Sequence, residues 1–385
     1  MTEEVEGKLV EVKILKKETK EELLKDGSYS AAICYTQRDW EKILNEPAER
    51  TESRIQGTLE SGHHSVYEHR PISLYFERIP KILAMVLNNE KQYTTSEKSA
   101  RYTKMKDLPE EEGERYSKWK GILEGVISER YPQIPPKQVS KLAMENARYM
   151  ISVFTPTKMR YTTNLRQMNY ILGWMDDYIQ MSPDEKSFDP RLKQSMRSFI
   201  NEFYDLKVLK MKSGKQRQLS LFTDNISKKR YFGDVYSTSY ETSLASLAQA
   251  QRHRSLNYQM KLPKRPEKFF VPPILEDNED LVKEWLEDIE SVSDCWPQGT
   301  MVMVSEKGTL DNFLLKCWER LCGRAQLEIM NQTKETLQEY INNIDDEKMR
   351  GVLKLYDKGP RCTFPQAPIC KDPCNFGKKA LERKI

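Results

Sequence analysis

Pro71–Tyr102 reads PISLYFERIPKILAMVLNNEKQYTTSEKSARY. In its first six residues Ile72, Leu74 and Phe76 alternate with Ser73 and Tyr75, the period of a half-buried strand. Pro80 then presets the φ of a first helical turn and has no N–H to leave unpaired, so KILAMVLNN (81–89) is expected to be a helix. From Gln92 to Tyr102 the side chains turn polar and read as a loop. A strand that feeds a helix and then a polar loop belongs to an α+β domain, in which a small antiparallel sheet packs against helices.

Reading outward, Lys8–Leu15 (KLVEVKIL) has strand alternation, and Tyr29–Trp40 holds a short apolar helical stretch, AAICY. Downstream the chain is charged and loop-like to about Pro136. A helix is expected over Lys137–Met150, a bend at Pro156, an extended segment over Arg160–Arg166, and helices from Met168 and over Arg191–Leu206. Lys207–Arg230, containing KMKSGKQRQ, is basic, polar and weakly periodic, as an exposed connection would be. Beyond it the order recurs: an extended run over Phe232–Tyr240, helices over Ser243–Arg254 and Glu276–Ser291, a bend at Trp296–Pro297, and a helix over Leu310–Asn331. The expected organisation is therefore a first copy (1–206), a basic linker (207–230), a second copy (231–360) and a cysteine-bearing tail (361–385).

Composition sets outer limits. With 385 residues, 38% hydrophobic and 31% charged, the chain has material for two folded domains. The net charge of +4, from 62 basic and 58 acidic residues, gives no broad basic footprint, so no nucleic-acid partner is expected. No apolar run approaches the roughly 20 residues of a membrane span, and Met1–Val12 is too polar for a signal peptide, so no membrane partner and a cytoplasmic location are expected. Seven cysteines are scattered without CxxC pairs; reduced thiols and no metal are expected, although Cys362, Cys370 and Cys374 lie close together in the tail.

Three segments carry candidate chemistry. In Gln249-Ala-Gln-Arg252-His253-Arg254, helical spacing places Gln249 and Arg252 on one face and rotates the next two side chains by roughly 100° each. These residues could touch different ligands, or simply form a solvated basic helix end. Ser96–Tyr102 offers a carboxylate (Glu97), hydroxyls, a guanidinium (Arg101) and a phenol within one polar stretch. Gly62–His69 holds three of the four histidines, but in neither HExxH nor HxxEH spacing. Planar guanidinium groups suit phosphate, which accepts two parallel hydrogen bonds from each.

Together these segments resemble the flavin-dependent thymidylate synthase family. His63-His64-Ser65-Val66-Tyr67-Glu68-His69 resembles its H-x-[ST]-x-x-E-H segment. Ser96-Glu97-Lys98-Ser99-Ala100-Arg101-Tyr102 resembles the end of its R-H-R-x-x-S-x-N-E-x-S-x-R-Y motif. The Arg-His-Arg opening of that motif is Asn89-Glu90-Lys91 here, whereas the second half of the chain has the triplet as Arg252-His253-Arg254. Glu145-Asn-Ala-Arg148 resembles the family's E-x-A-R, and Asn164-Leu-Arg166 its N-x-R. Arg320-Leu-Cys-Gly-Arg-Ala325-Gln326-Leu-Glu328-Ile329 resembles R-x-x-x-x-A-Q-x-E-I, where the first half has Met175 in place of the arginine.

The resemblance implies two tandem, diverged, thymidylate-synthase-complementing-like domains whose retained motifs are complementary. It implies dUMP binding by Glu97, Ser99, Arg101, Arg148, Gln249, Arg252 and Arg320, with Arg252, Ser99 and Arg320 as the catalytic set. FAD would be held by Ser65, Glu68, His69, Asn164, Arg166, Arg252, His253 and Arg254, with His69 and Tyr102 on the folate side. NADPH and methylenetetrahydrofolate are the implied co-substrates, dTMP the product, and a homodimer forming a pseudo-tetramer the implied assembly. A related hydroxymethylase-like one-carbon transfer, or a non-catalytic nucleotide- or flavin-binding homologue, are the alternative readings.

Overall fold

The computed structural model describes residues 9–15, 18–101, 103, 108–181, 184–208, 211, 221–226, 230–365 and 367–385. Tyr102, Lys8 and much of the 207–230 connection lie outside them. In chain order the elements are β1 (Glu11–Ile14), α1 (Lys20–Ile33), α2 (Trp40–Leu44), α3 (Ala48–Ser61), β2 (Pro71–Pro80), α4 (Lys81–Asn89), β3 (Thr94–Glu97), α5 (Glu110–Arg130), α6 (Pro136–Ala147), β4 (Pro156–Asn164), α7 (Leu165–Met181) and α8 (Asp189–Glu202). After the connection come β5 (Tyr231–Phe232), β6 (Val235–Ser243), α9 (Leu244–Ala250), β7 (Asn257–Lys261), α10 (Glu279–Glu290), β8 (Met301–Thr309), α11 (Leu310–Arg320), α12 (Leu327–Asn343) and α13 (Glu347–Tyr356). The fold is α+β, with two four-stranded antiparallel sheets packed with helices. Among the described residues, no helix is long and apolar enough to cross a membrane.

The chain divides into two compact units that do not run along the sequence as the two proposed copies do. The described residues of Met1–Lys98 and Pro156–Ser220 make the first; those of Ser99–Thr155 and Leu221–Ile385 make the second. The first unit carries the sheet β1-β2-β4-β3, the second the sheet β5-β6-β8-β7. In each, the second strand runs directly into a helix (β2–α4, β6–α9) and the last strand into another (β4–α7, β8–α11).

In the first unit Leu74 and Phe76 on β2 are buried, and Phe76 stacks on Phe199 of α8 at 6.0 Å between ring centroids. The segment read as a polar loop contains β3, which pairs only with β4. An edge strand exposes one side to water and needs no apolar alternation to form. Arg166, expected on an extended segment, stands on the first turn of α7, because β4 ends at Asn164 and the Asn164 side chain accepts from the Gln167 N–H at 2.8 Å.

In the second unit α5 corrects the expectation of a loop before Pro136. Tyr116, Trp119, Leu123 and Ile127 recur at helical spacing and are all buried, while charged residues fill the remaining faces and hide the period. Trp119 meets Trp285 of α10 edge-on at 4.8 Å, and its indole N–H donates to Asp288 at 2.8 Å. Two further expectations change here. The helix over Ser243–Arg254 ends at Ala250, and Arg252-His253-Arg254 follow in tight turns. The helix over Leu310–Asn331 is broken at 321–326, where a Cβ on Gly323 would fall 2.5 Å from Cys374 Sγ, so only glycine allows the approach.

Candidate functional site

The second unit gathers arginines from widely separated parts of the sequence. Arg101 lies on the loop after β3, Arg148 in the single 3-10 turn that ends α6, Arg252 in the turns after α9, and Arg320 at the last residue of α11. Arg101 donates through Nε to Glu145 and through Nη2 to the Arg324 carbonyl at 2.7 Å. Arg148 donates from Nη2 to Gln326 Oε1 at 2.5 Å, and its buried Nε has no hydrogen-bond partner among the described residues. Ser99 sits beside Arg101, its hydroxyl accepting from the Arg101 N–H at 3.4 Å.

Burial and the repulsion of neighbouring cations depress two of them, Arg148 and Arg320. Desolvation lowers Arg148 first, and Arg101 adds to that, while Glu145 and Glu328 oppose it. Arg320 is brought down to about 10, mainly by burial, with Arg101 and Arg252 contributing in the same direction. It remains a cation at neutral pH. Buried guanidinium groups that also feel a neighbouring cation are stabilised by the arrival of negative charge.

His253 stands between the two exposed arginines of its triplet and is itself buried. Its Nε2 accepts from Arg320 Nε at 2.7 Å, and Arg320 Nη2 also reaches the Gln249 carbonyl at 3.4 Å. Burial, then Arg320 and Lys316, push the imidazole down to about 2, so it is neutral, with its proton on Nδ1. The Gln249 side-chain Oε1 is buried and has no hydrogen-bond partner among the described residues.

Two residues the sequence reading left without a role complete the arrangement. Gln326 accepts from Arg148 and donates to the Tyr149 hydroxyl, which in turn donates to Glu328 Oε2 at 2.9 Å. Glu328 also accepts from Thr242 Oγ1 at 2.8 Å, the Ser243 N–H at 2.6 Å and Ser243 Oγ at 2.6 Å. Ser243 is the N-cap of α9. One carboxylate therefore anchors both the turn bearing Arg148 and the helix leading to Gln249 and Arg252. Burial raises the Glu328 carboxyl, and these hydrogen bonds oppose the rise. The signal was present in the sequence, since both residues stand in the same short motif as Arg320.

The remaining candidates belong to the first unit. Glu97 is bound by Lys81 Nζ at 2.5 Å and Asn88 Nδ2 at 3.3 Å. Arg166 pairs with Glu68 at 2.5 Å, both about one-third exposed. Ser65 and His69 are exposed, whereas Asn164 is buried and caps α7. His63 meets the Tyr35 hydroxyl at 3.3 Å, and His64 is buried with Nε2 3.1 Å from the Leu59 carbonyl. Among the described residues, no group of three His, Cys, Asp or Glu side chains is placed to hold a metal ion. Tyr102, expected on the folate side, lies outside the described residues.

Residues 18–177 match the family model described as thymidylate synthase complementing protein. A curated relative, the flavin-dependent thymidylate synthase of Thermococcus onnurineus (strain NA1), is 25% identical over 162 residues, which cover 38% of this chain and 63% of the relative. This chain thus spans less than two-thirds of that relative's length. Solved structures of a UMP/dUMP methylase, PolB, from Streptomyces cacaoi are also similar. The form bound with 5-Br dUMP is 15% identical at a TM-score of 0.33, covering 52% of this chain and 93% of that one. The form bound with 5-Br UMP is 13% identical at a TM-score of 0.30, covering 52% and 92%. Residues 18–177, inside which the histidine segment and the S-E-x-S-x-R-Y, E-x-A-R and N-x-R motifs all fall, are similar to the thymidylate synthase complementing protein family.

Proposed function

We propose that this chain is a flavin-dependent thymidylate synthase that converts dUMP to dTMP, using methylenetetrahydrofolate and NADPH. The observation that carries the reading is the convergence in one unit of Arg101, Arg148, Arg252 and Arg320, with the buried Nε of Arg148 lacking a partner among the described residues. Four guanidinium groups exceed what one phosphate dianion needs. Arg148 and Arg101 would grip the phosphate, and Arg252 and Arg320 would in part face the pyrimidine, where fixed positive charge stabilises electron density building on the ring. Ser99 and Gln249 would add a hydroxyl and an amide to the same nucleotide.

The residues present fit a dinucleotide flavin at its anionic part. In the second unit Arg252 and Arg254 are exposed on either side of the buried His253, and a planar guanidinium matches the geometry of a pyrophosphate. Ser65, Glu68, His69, Asn164, Arg166 and His253 are the other residues assigned to it. The flavin, when bound, supplies the hydride.

We further propose that the chain is an internal duplication. Its two sheets share one strand order, and β2–α4 matches β6–α9 as β4–α7 matches β8–α11. On that alignment Asn89-Glu90-Lys91 stand where Arg252-His253-Arg254 do, and Met175 where Arg320 does. Two such chains would make a pseudo-tetramer. The decisive assay is anaerobic incubation of the purified chain with dUMP, methylenetetrahydrofolate, FAD and NADPH, scored for dTMP by mass. Flavin reduction with a product heavier than dTMP by one oxygen would replace the synthase reading with hydroxymethyl transfer. Protein that takes up no FAD would replace it with nucleotide binding alone.

A further inference from the structure

The tail forms a second feature that the proposed chemistry does not use. Residues 360–362 and 367–372 of the tail, with Cys374, Gly377 and Ala380, enclose a cavity of about 430 Å³ against the end of α11 and the break that follows it. Four of the seven cysteines line it: Cys322 from the break between α11 and α12, and Cys362, Cys370 and Cys374 from the tail. Trp318, Pro368, Ile369 and Ala380 give it apolar walls, and Arg361 and Lys371 add positive charge. The other cysteines are elsewhere: Cys34 and Cys295 are exposed, and Cys317 is fully buried with its thiol pushed up by desolvation.

Within the cavity two thiols stand apart. Cys374 packs with Sγ and Cβ against Gly323, the residue that follows Cys322. Both thiols lie near the buried guanidinium of Arg383, which they help to hold up against the depressing effect of burial. Both are on restrained backbone. The Cys322 N–H donates to the Arg320 carbonyl at 2.8 Å and its carbonyl accepts from the Ala325 N–H at 2.9 Å, while the Cys374 carbonyl accepts from Gln138 at 3.1 Å. The tail is also fixed to the break by Arg324, which donates to Asp372 Oδ1 at 2.5 Å and the Pro373 carbonyl at 2.6 Å.

We propose that this cavity is a thiol–disulfide exchange site for a small anionic disulfide of the oxidised-glutathione type, ending in a Cys322–Cys374 disulfide. The volume is within the range of small-molecule sites, and the carboxylates of such a peptide match Arg361 and Lys371. In the first step the Cys374 thiolate attacks one sulfur of the small disulfide. That S–S bond breaks, a protein–glutathione S–S bond forms, and one glutathione thiolate leaves and takes up the proton released by Cys374. In the second step the Cys322 thiolate attacks Cys374 Sγ and expels the other glutathione. The protein loses two electrons and two protons, and the small disulfide gains them. The product fastens the tail to the 321–326 break, whose Arg324 carbonyl holds Arg101 and whose Gln326 holds Arg148.

The test is to equilibrate the full chain in graded mixtures of reduced and oxidised glutathione, then map disulfides by non-reducing peptide mass spectrometry with a thermal melt of each sample. The expected result is one dominant Cys322–Cys374 cross-link and a melting midpoint that rises by several degrees and falls back on reduction. Cys322→Ser should instead accumulate a glutathione adduct on Cys374, and Cys374→Ser should leave no cross-link; Cys362→Ser and Cys370→Ser should leave the cross-link in place. A dominant Cys362–Cys370 link, or adducts forming as fast on Cys34 and Cys295 as in the cavity, would overturn the proposal. None of these readouts depends on dUMP or flavin, so the exchange site can fail while the synthase reading stands, and the reverse.

Discussion

Arg148 donates from Nη2 to Gln326 Oε1 at 2.5 Å, while its Nε, buried with the rest of the side chain, has no partner among the described residues. A buried guanidinium that keeps one donor unmatched is costly unless something else completes it, and an anionic ligand would do so. Replacing Arg148 with Met is therefore expected to weaken dUMP binding by about 1.5 to 3 kcal/mol, the worth of charge-assisted hydrogen bonds, while leaving the ligand-free protein no less stable. Calorimetric titration with dUMP and a melt without it measure the two effects separately.

Arg252 and Arg320 carry the same expectation for different reasons. Arg252 is exposed, and Arg320 is held by His253 at 2.7 Å. Alanine at either position is expected to cost about 1.5 to 3 kcal/mol of dUMP affinity. Unchanged titration curves for both variants would remove the arginine cluster from nucleotide binding.

Glu328 receives hydrogen bonds from Tyr149, Thr242 and from Ser243 twice. Glu328→Gln keeps one acceptor oxygen for the Ser243 N–H and Thr242 but puts an NH2 where the Tyr149 and Ser243 hydroxyls donate, so the charge is lost and both hydroxyls must turn round to accept. A loss of about 2 to 4 kcal/mol of stability is expected, against about 1 kcal/mol for Tyr149→Phe. Denaturant unfolding of both variants checks the ranking. Equal losses would mean that the carboxylate does not anchor the two arginine-bearing elements.

His253 makes stability depend on acid. Its folded value, about 2, lies below the ordinary 6.5, so an unfolded chain takes up a proton that the folded chain refuses. The stabilising contribution is complete above about pH 6.5 and declines by about 1.4 kcal/mol per pH unit as pH falls below it. His253→Gln is expected to flatten the acid side of the stability profile. An unaltered acid limb in the variant would show that His253 titrates normally.

Glu90 acts in the opposite sense. Burial raises its carboxyl to about 8, offset by hydrogen bonds from Asn89 and Tyr170 and by Lys91. The unfolded chain loses this proton above about pH 4.5, so the contribution is complete below that value and declines as pH rises toward 8. Glu90→Gln is expected to stabilise the protein at pH 7 to 8 and to make little difference at pH 4. A melt series across that range decides it.

The sequence by itself determined the α+β class and the strand-to-helix unit at Pro71–Asn89, and it carried the similarity of residues 18–177 to the thymidylate synthase complementing family. These rest on local periodicity and on side-chain types at fixed spacing, which a chain displays before it folds. It hid α5, because that helix buries only a narrow stripe, and β3, because an edge strand needs no apolar face. Only the tertiary structure decided that Ser99–Thr155 packs in one unit with Leu221–Ile385, which brings Arg101 and Arg148 to the elements bearing Arg252, Arg320, Gln326 and Glu328. Nor could spacing show that His253 is neutral and Glu90 protonated. Both follow from desolvation, which depends on what the rest of the chain lays over a residue and not on its neighbours in sequence.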